Sequence, residues 1–391
     1  MTFSASSMLA AVVHQMDPFI VRFPDGFPLD GLRWYGFAYV LGFILGYLLL
    51  RRLARTGRIL LRPVDVGDLT VTVAVGVIVG GRLGYVLFYD RSLLGFLDQP
   101  PFWGVLQMNR GGMSFHGGLL GVIAATGWFA WRRAIRWTHI MDLMALVAPL
   151  GLFFGRVANY INGELFGRIA QNRDTPWLVK FPQEIPSWIR AGDRADDLAA
   201  LAPAAEAVGA DPAHWTRIVA LLDQLGPAFH RGTLNPADQQ AYIDAYHAAH
   251  RITQQMIAAT QAGQQQVVAV MNDVLPARHP SQLYEAITEG ALVLVLMLVL
   301  WARPRKPLVP GCGFLIAYGL ARIFCEIFRK PDDHIGYHFG VLTHGQILST
   351  LMVLAGVILL IWAARRDTQP LGGWRTGPRV LPDEQPNAPN A

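Results

Sequence analysis

Ile140–Arg168, IMDLMALVAPLGLFFGRVANYINGELFGR, begins as an apolar run and turns polar while keeping helical spacing. Ile140–Phe154 is a membrane-depth segment; the stretch that follows carries Arg156, Asn159, Asn162, Glu164 and Arg168. On a helix Arg156, Asn159 and Gly163 share one face, because residues three, four and seven apart line up. Charged and amide groups beside lipid are expensive unless they face an interior cavity with partners. The plain alternative is a helix end, with Asn162-Gly163 as its turn and Arg168 in water. On either reading the expected fold is all-α and polytopic.

The whole chain agrees. Of 391 residues 52% are hydrophobic and only 16% charged, and the mean hydropathy is +0.31. Such a balance is wrong for a soluble domain of this length and right for a chain of many spans. The formal charge is +5, but Lys and Arg sit beside apolar runs. That placement suits cytoplasmic loops and anionic lipid rather than nucleic acid. The two cysteines, Cys312 and Cys325, lie in one apolar segment. A helix would set them about 20 Å apart, far beyond disulfide reach.

Hydropathy and basic clusters place about seven spans. Trp34–Leu50 opens with interfacial aromatics and closes on Arg51, Arg52, Arg55, Arg58 and Arg62. Leu69–Phe88 returns outward, and residues 90–115 form an external arm with Pro100-Pro101 and Gly111-Gly112. Phe115–Trp131 goes in to Arg132, Arg133 and Arg136, and Ile140–Val157 comes out with the polar stretch. Gln282–Trp301, Gly311–Phe328 and His344–Ala363 complete the set. Every expected internal loop is basic, so the N-terminus lies outside and the C-terminus in the cytoplasm. Residues 1–30 hold Pro18, Pro24 and Pro28 and read as a surface-lying start. No Lys or Arg precedes Met8–Val13, so insertion through the first span is expected rather than a cleaved leader.

Four regions follow: a membrane domain over 1–168 with its arm, an external head over 169–276, three further spans over 277–366, and a disordered cytoplasmic tail over 367–391. In the head, Asp211-Pro212 and Asn235-Pro236 each set a capping residue before a first-turn proline. Helices at about 212–225 and 236–261 follow from those caps. Tyr242, Tyr246, Ala249 and Met256 give the second an apolar stripe.

Polar groups crowd the external ends of the spans. His116 stands in MSFHGGLLG at the mouth of the third span. It is a candidate base, since imidazole titrates near neutrality, or simply a histidine satisfied by a loop carbonyl. Tyr318, Arg322 and Glu326 recur every four residues and form one polar ridge, along which Arg322 and Glu326 can pair across a turn. They form an anion site oriented by Glu326, or a structural pair between helices. Arg82, Tyr85 and Tyr89 on span two, and His279, Gln282 and Tyr284 on span five, serve equally as interfacial anchors, packing groups or ligands. No carboxylate cluster or histidine array points to a metal, and no phosphate-cradling glycine loop points to a nucleotide cofactor. Arginine forks suit phosphate oxygens.

GRVANYINGELFGR at Gly155–Arg168 closely resembles the signature of the bacterial prolipoprotein diacylglyceryl transferases. Arg33–Gly36, Gly80–Tyr89, Met113–Gly118, His279–Glu285 and Tyr318–Arg329 support the likeness in the same order. It covers about 30–168 and 276–365, leaving out the segment between, which looks longer than in many relatives. The resemblance implies an enzyme of the inner membrane that moves a diacylglyceryl group from phosphatidylglycerol to the lipobox cysteine of a prolipoprotein. It places the family's essential histidine on His116 and favours Tyr35 among the tyrosines. In that reading Arg156 and Arg322 meet the departing phosphate, and Asn159 and Glu164 orient Arg156 or the glycerol head. Gly167 allows close packing, and Tyr318 adds a hydroxyl beside Arg322. Forming thiolate from a thiol of pKa 8.5 costs only about 2 kcal/mol at pH 7, so the growing phosphate charge is the harder demand. A transporter or lipid-binding protein, and a lipid-head transferase with another acceptor, are the rival readings.

Overall fold

The computed structural model describes residues 11–24, 27, 30–96, 102–106, 112–172, 175–330, 337–338 and 341–375. The expectations at Pro28, Pro100-Pro101, Gly111 and most of the tail lie outside the described residues. The chain divides into two compact units. The first comprises Met1–Ala38, Phe154–Ile287 and Ile323–Gln346; the second comprises Tyr39–Phe153, Thr288–Arg322 and Ile347–Ala391.

Among the described residues five helices are long and apolar enough to cross a bilayer: α1 (Trp34–Arg55), α2 (Asp65–Phe88), α4 (Trp137–Asn162), the continuous helix Ser281–Trp301, and α14 (His344–Arg365). Within Ser281–Trp301, α11 (Ser281–Glu285) and α12 (Val293–Trp301) flank a π-helical stretch over Ala286–Leu292. α3 (Phe115–Arg132) has 18 residues and α13 (Val309–Cys325) has 17. Both coincide with expected spans.

In the second unit, α2 turns Val71, Val75, Val79, Leu83 and Leu87 outward while Val66, Leu69 and Val73 are buried. One apolar face meets protein and the other is left for lipid. The contact of α2 with α3 runs through glycine. A Cβ on Gly80 would stand 2.4 Å from the Gly117 carbonyl oxygen, and one on Gly121 2.0 Å from that of Gly76. Only bare backbones approach so closely, as in small-residue packing of membrane helices. A core of Leu50, Leu53, Leu69, Phe129, Ile140, Leu143, Leu146 and Met297 fills this unit.

Residues of the head belong to the first unit. Helix α8 (Pro212–His230) is capped by Asp211, which accepts from Ala213 N at 3.0 Å. Helix α9 (Pro236–Gln261) is capped by Asn235, which accepts from Asp238 N at 2.9 Å. Both begin where the cap-proline pairs place them, and α8 runs on through Pro227. They pack on shorter helices α5 (Ile185–Ala191), α6 (Ala195–Ala199), α7 (Ala202–Ala207) and α10 (Gln265–Val274). Their common core holds Trp215, Ile218, Val219, Leu222, Tyr242, Ala249 and Met256. Burying each large apolar side chain fully is worth about 1.5–3 kcal/mol, so the head carries a hydrophobic core of its own.

Among the described residues the start of the chain is extended. Strand β1 (Val12–Val13) pairs in parallel with β4 (Val179–Lys180), and β2 (Phe19–Arg22) forms a hairpin with β3 (Gly31–Arg33). β-Branched Val12, Val13, Ile20 and Val21 favour extension, and Pro18 and Pro24 bracket β2. Strands β5 (Tyr337–His338) and β6 (Leu342–Thr343) pair antiparallel. Cys312 and Cys325 are both buried and form no disulfide with each other, as their spacing leads one to expect.

Candidate functional site

The signature leaves α4 through a tight turn. Gly163, at φ +66°, donates to the Tyr160 carbonyl at 2.9 Å, and Glu164 N donates to that of Asn159 at 3.0 Å. Glycine suits this left-handed position, and Gln183 leaves no room for a side chain, since a Cβ would come within 2.4 Å of its Cδ. The amide of Asn159 donates to Glu164 Oε1 at 2.7 Å and that of Asn162 at 3.3 Å. Asn159 is buried and Glu164 is exposed. The amides thus hold the Glu164 carboxylate beside the helix end.

The chain then threads between two other segments of the same unit. Gly167 N donates to His279 O at 3.0 Å, Arg168 N to Phe328 O at 2.8 Å, and His279 N to Arg168 O at 3.1 Å. A Cβ at Gly167 would lie 2.4 Å from the His279 oxygen and 2.6 Å from that of Phe328, so this glycine is fixed by close approach. The start of α11 closes the other side: Gln282 Nε2 donates to Glu164 O at 2.7 Å, and Ser281 Oγ to Leu165 O at 3.1 Å.

These bonds set a charged network. Glu285, whose side chain is 1% exposed, stands 2.8 Å from Arg156 Nε and 3.2 Å from Arg329 Nη1. Arg329 also approaches Glu326 at 3.8 Å. Arg168 donates to the backbone oxygens of Arg329 at 2.9 Å and Glu326 at 3.2 Å. Arg156, Arg168 and Arg329 thus gather around Glu285 and Glu326, with Arg168 held by backbone oxygens. Beneath it Arg278 holds Glu184 at 2.5 Å and donates to Gly167 O at 3.1 Å. Burial raises the Glu184 carboxyl above the usual carboxylate range, with Arg278 opposing. Burial also lowers His279, whose Nδ1 lies 3.2 Å from the Tyr284 hydroxyl. Tyr35, half-buried, belongs to this unit too.

Arg322, Tyr318 and His116 belong to the second unit. Arg322 Nη1 pairs with Glu289 Oε1 at 3.3 Å, and that carboxylate is fully buried in the π-helical stretch. Such stretches recur at functional sites. Tyr318 stacks on Phe314 at 5.6 Å. His116 is exposed in the first turn of α3, edge-on to Phe115 at 5.7 Å.

Helix α13 stops at Cys325, one residue before Glu326. Arg322 pairs with Glu289, a carboxylate from another helix, and Glu326 accepts from Thr343 Oγ1 at 2.7 Å. Glu285, Glu289 and Arg329 were not singled out by residue type. The available signal was two carboxylates four residues apart within an apolar run, where each needs a cation.

Several apolar helices with buried arginine–carboxylate pairs define a multi-pass membrane protein. A model of the prolipoprotein diacylglyceryl transferase family matches residues 26–362. The chain belongs to that family. It is 38% identical over 367 residues to the phosphatidylglycerol–prolipoprotein diacylglyceryl transferase of Bdellovibrio bacteriovorus, covering 94% of this chain and 98% of that one. It is 39% identical over 342 residues to the Yersinia enterocolitica enzyme of the same name, covering 87% and 92%. The matched range includes the head, which the signature segments alone did not reach.

Proposed function

We infer that this protein transfers the diacylglyceryl group of phosphatidylglycerol to the lipobox cysteine of prolipoproteins, the first step of lipoprotein maturation. The cysteine sulfur bonds to the glycerol carbon that carries the phosphate, the carbon–oxygen bond breaks, and glycerol phosphate leaves. The thiol proton passes to a base. The observation that carries this reading is the signature's own position: Arg156 and Gly167 stand in a network of three guanidinium groups and two carboxylates, in a chain of this family.

Arg156 supplies fixed positive charge to the leaving phosphate, braced from behind by Glu285. Arg322, braced by Glu289, supplies a second guanidinium. Charge fixed in advance needs no reorganisation as the phosphate departs. Asn159 and Glu164 orient the glycerol head, Tyr35 and Tyr318 offer hydroxyls, Gly167 and Glu326 hold the backbone and Arg329 in register, and His116 takes the thiol proton. The exposure of His116 suits a group that meets an incoming peptide. Seven spans, with α3 and α13 counted, an inner-membrane location, an external N-terminus and head, and a cytoplasmic C-terminus complete the assignment; basic loops support the orientation.

The deciding experiment uses purified protein, phosphatidylglycerol and a lipobox peptide. Mass spectrometry is expected to show a diacylglyceryl gain on cysteine, and an unmodified peptide would overturn the reading.

A further inference from the structure

The segment joining α2 to α3 displays an unusual surface. Phe96 is 85% exposed, Phe102 57%, Leu106 56%, Leu94 47% and Trp103 38%. In water so dense an apolar patch would be a liability. Its described residues are also tied together by hydrogen bonds. Gly104 N donates to Gly95 O at 3.1 Å, and the Trp103 indole donates inward to Leu94 O at 3.1 Å. The Phe96 and Trp103 rings stack at 6.5 Å.

A buried cation fixes this arm to α2. Arg82, 4% exposed, donates from Nε to Val105 O at 2.7 Å, from Nη2 to Gly104 O at 3.0 Å and from Nη1 to Gly112 O at 3.1 Å. Tyr85 lies against Gly112, where a Cβ would come within 2.4 Å of its ring. One guanidinium thus gathers three carbonyls of the arm, and the apolar side chains are presented outward.

We propose that this arm is a membrane-interface anchor, its aromatic face seated at the headgroup boundary of the leaflet where α2 ends and α3 begins. Continuity identifies the occupant as lipid. Leu83, Leu87, Phe88 and Tyr89 carry the lipid-facing stripe of α2 to its end at 41%, 45%, 69% and 68% exposure. Phe115, Leu119 and Leu120 resume it on α3 at 70%, 49% and 59%. The arm joins these two stripes. Arg91, exposed beside it and donating to Leu87 O at 3.0 Å, is placed for lipid phosphate. Rings at the headgroup level and a flanking arginine are the usual composition of such a boundary. The inference rests on the membrane character of the chain and not on its activity.

The test places a nitroxide at Phe96→Cys and, separately, at Phe102→Cys in the full chain. The protein is reconstituted in nanodiscs of phosphatidylethanolamine and phosphatidylglycerol, without peptide. Cys312 and Cys325 are buried, and unmutated protein gives the labelling background. Accessibility to oxygen relative to a water-soluble nickel chelate is expected to be severalfold higher at both sites than at a Gln239→Cys label on the exposed face of the head. Adding Arg82→Gln is expected to raise label mobility and abolish the difference. Nickel accessibility at 96 and 102 equal to that at 239 would overturn the proposal. So would shielding that appears only on adding a lipobox peptide, which would make the peptide the occupant. Both outcomes are read in the Arg82 background, so misfolding of Arg82→Gln leaves the test intact.

Discussion

Arg156 Nε lies 2.8 Å from Oε2 of Glu285, a carboxylate whose side chain is 1% exposed. The acid stands at the fifth position of the helix that begins at Ser281, and the base one and a half turns before the end of α4. A carboxylate this enclosed is tolerable only when paired. Its partners Arg156 and Arg329 keep 17% and 13% of their own side chains exposed. The pairing therefore aims two guanidinium groups from a fixed base.

Arg156→Lys keeps the charge and loses the planar fork. Turnover of a lipobox peptide is expected to fall roughly 10²-fold, the scale for removing one fixed donor to a developing anion. Glu285→Gln is expected to cost activity and also stability, about 3 kcal/mol or more, because a buried pair is broken from one side. A thermal melt beside the lipidation assay separates the two effects. Near-normal turnover of Arg156→Lys would remove Arg156 from phosphate binding.

Gly167 and Gly155 make an internal contrast twelve residues apart. Gly167→Ala drives a methyl into two backbone oxygens at 2.4 and 2.6 Å, neither of which is a flexible tip. Loss of both folding yield and lipidation is expected. Gly155→Ala meets nothing within 4 Å and sits inside α4. It is expected to be neutral or to stabilise by up to about 1 kcal/mol. Equal effects of the two substitutions on the melting midpoint would contradict the close-packing account.

Much of this was legible from residue order because its causes are local. Basic clusters and apolar length located the helices, and Asp211-Pro212 and Asn235-Pro236 set the starts of α8 and α9. Strand pairing was not legible. Val12 takes Val179 as its partner, and two-residue strands hold no pattern that names a partner so distant. The role of Glu289 was hidden for a related reason. Helical spacing offers Arg322 a neighbour at Glu326 but says nothing of the carboxylate that Glu289 brings from another helix. The signature was visible as a unit because its turn, glycine approach and charge are packed into consecutive residues.

The assignment of His116 as base predicts a kinetic signature. A general base that takes the thiol proton shapes both the rate and its pH dependence. His116→Asn, assayed from pH 6 to 9, is expected to lose most activity and to change the pH profile. A variant with the wild-type rate and profile would end the candidacy of His116.

His14 gives a separate, structural pH dependence. It is 3% exposed, between Tyr160 and Phe181, with Gln183 Nε2 3.2 Å from Nδ1. Burial lowers its pKa from 6.5 to about 4. Between those values the unfolded chain binds the proton and the folded chain does not. The stabilising term is therefore complete above pH 6.5 and is lost as pH falls toward about 4. The full loss is about 3 kcal/mol. His14→Gln, which keeps an acceptor for Gln183 and does not titrate, should flatten this part of the melting profile. Parallel profiles for the two proteins would disprove the linkage.

Asp142 extends the same logic to the helix that carries Arg322. Its Oδ2 accepts from Leu308 N and its Oδ1 from Gly311 N, both at 2.8 Å, so a residue of α4 caps the first turn of α13. Leu308 holds φ +75°, an unfavourable value for leucine, which such a cap helps to sustain. Asp142→Ala would leave two partly buried N–H groups without acceptors, at about 1–3 kcal/mol each. Asp142→Asn keeps one good acceptor and is expected to lose about half as much. If the cap also sets the reach of Arg322, both variants should raise KM for phosphatidylglycerol in proportion to their loss of stability. A melting midpoint that drops while KM for the lipid stays constant would confine Asp142 to the helix end.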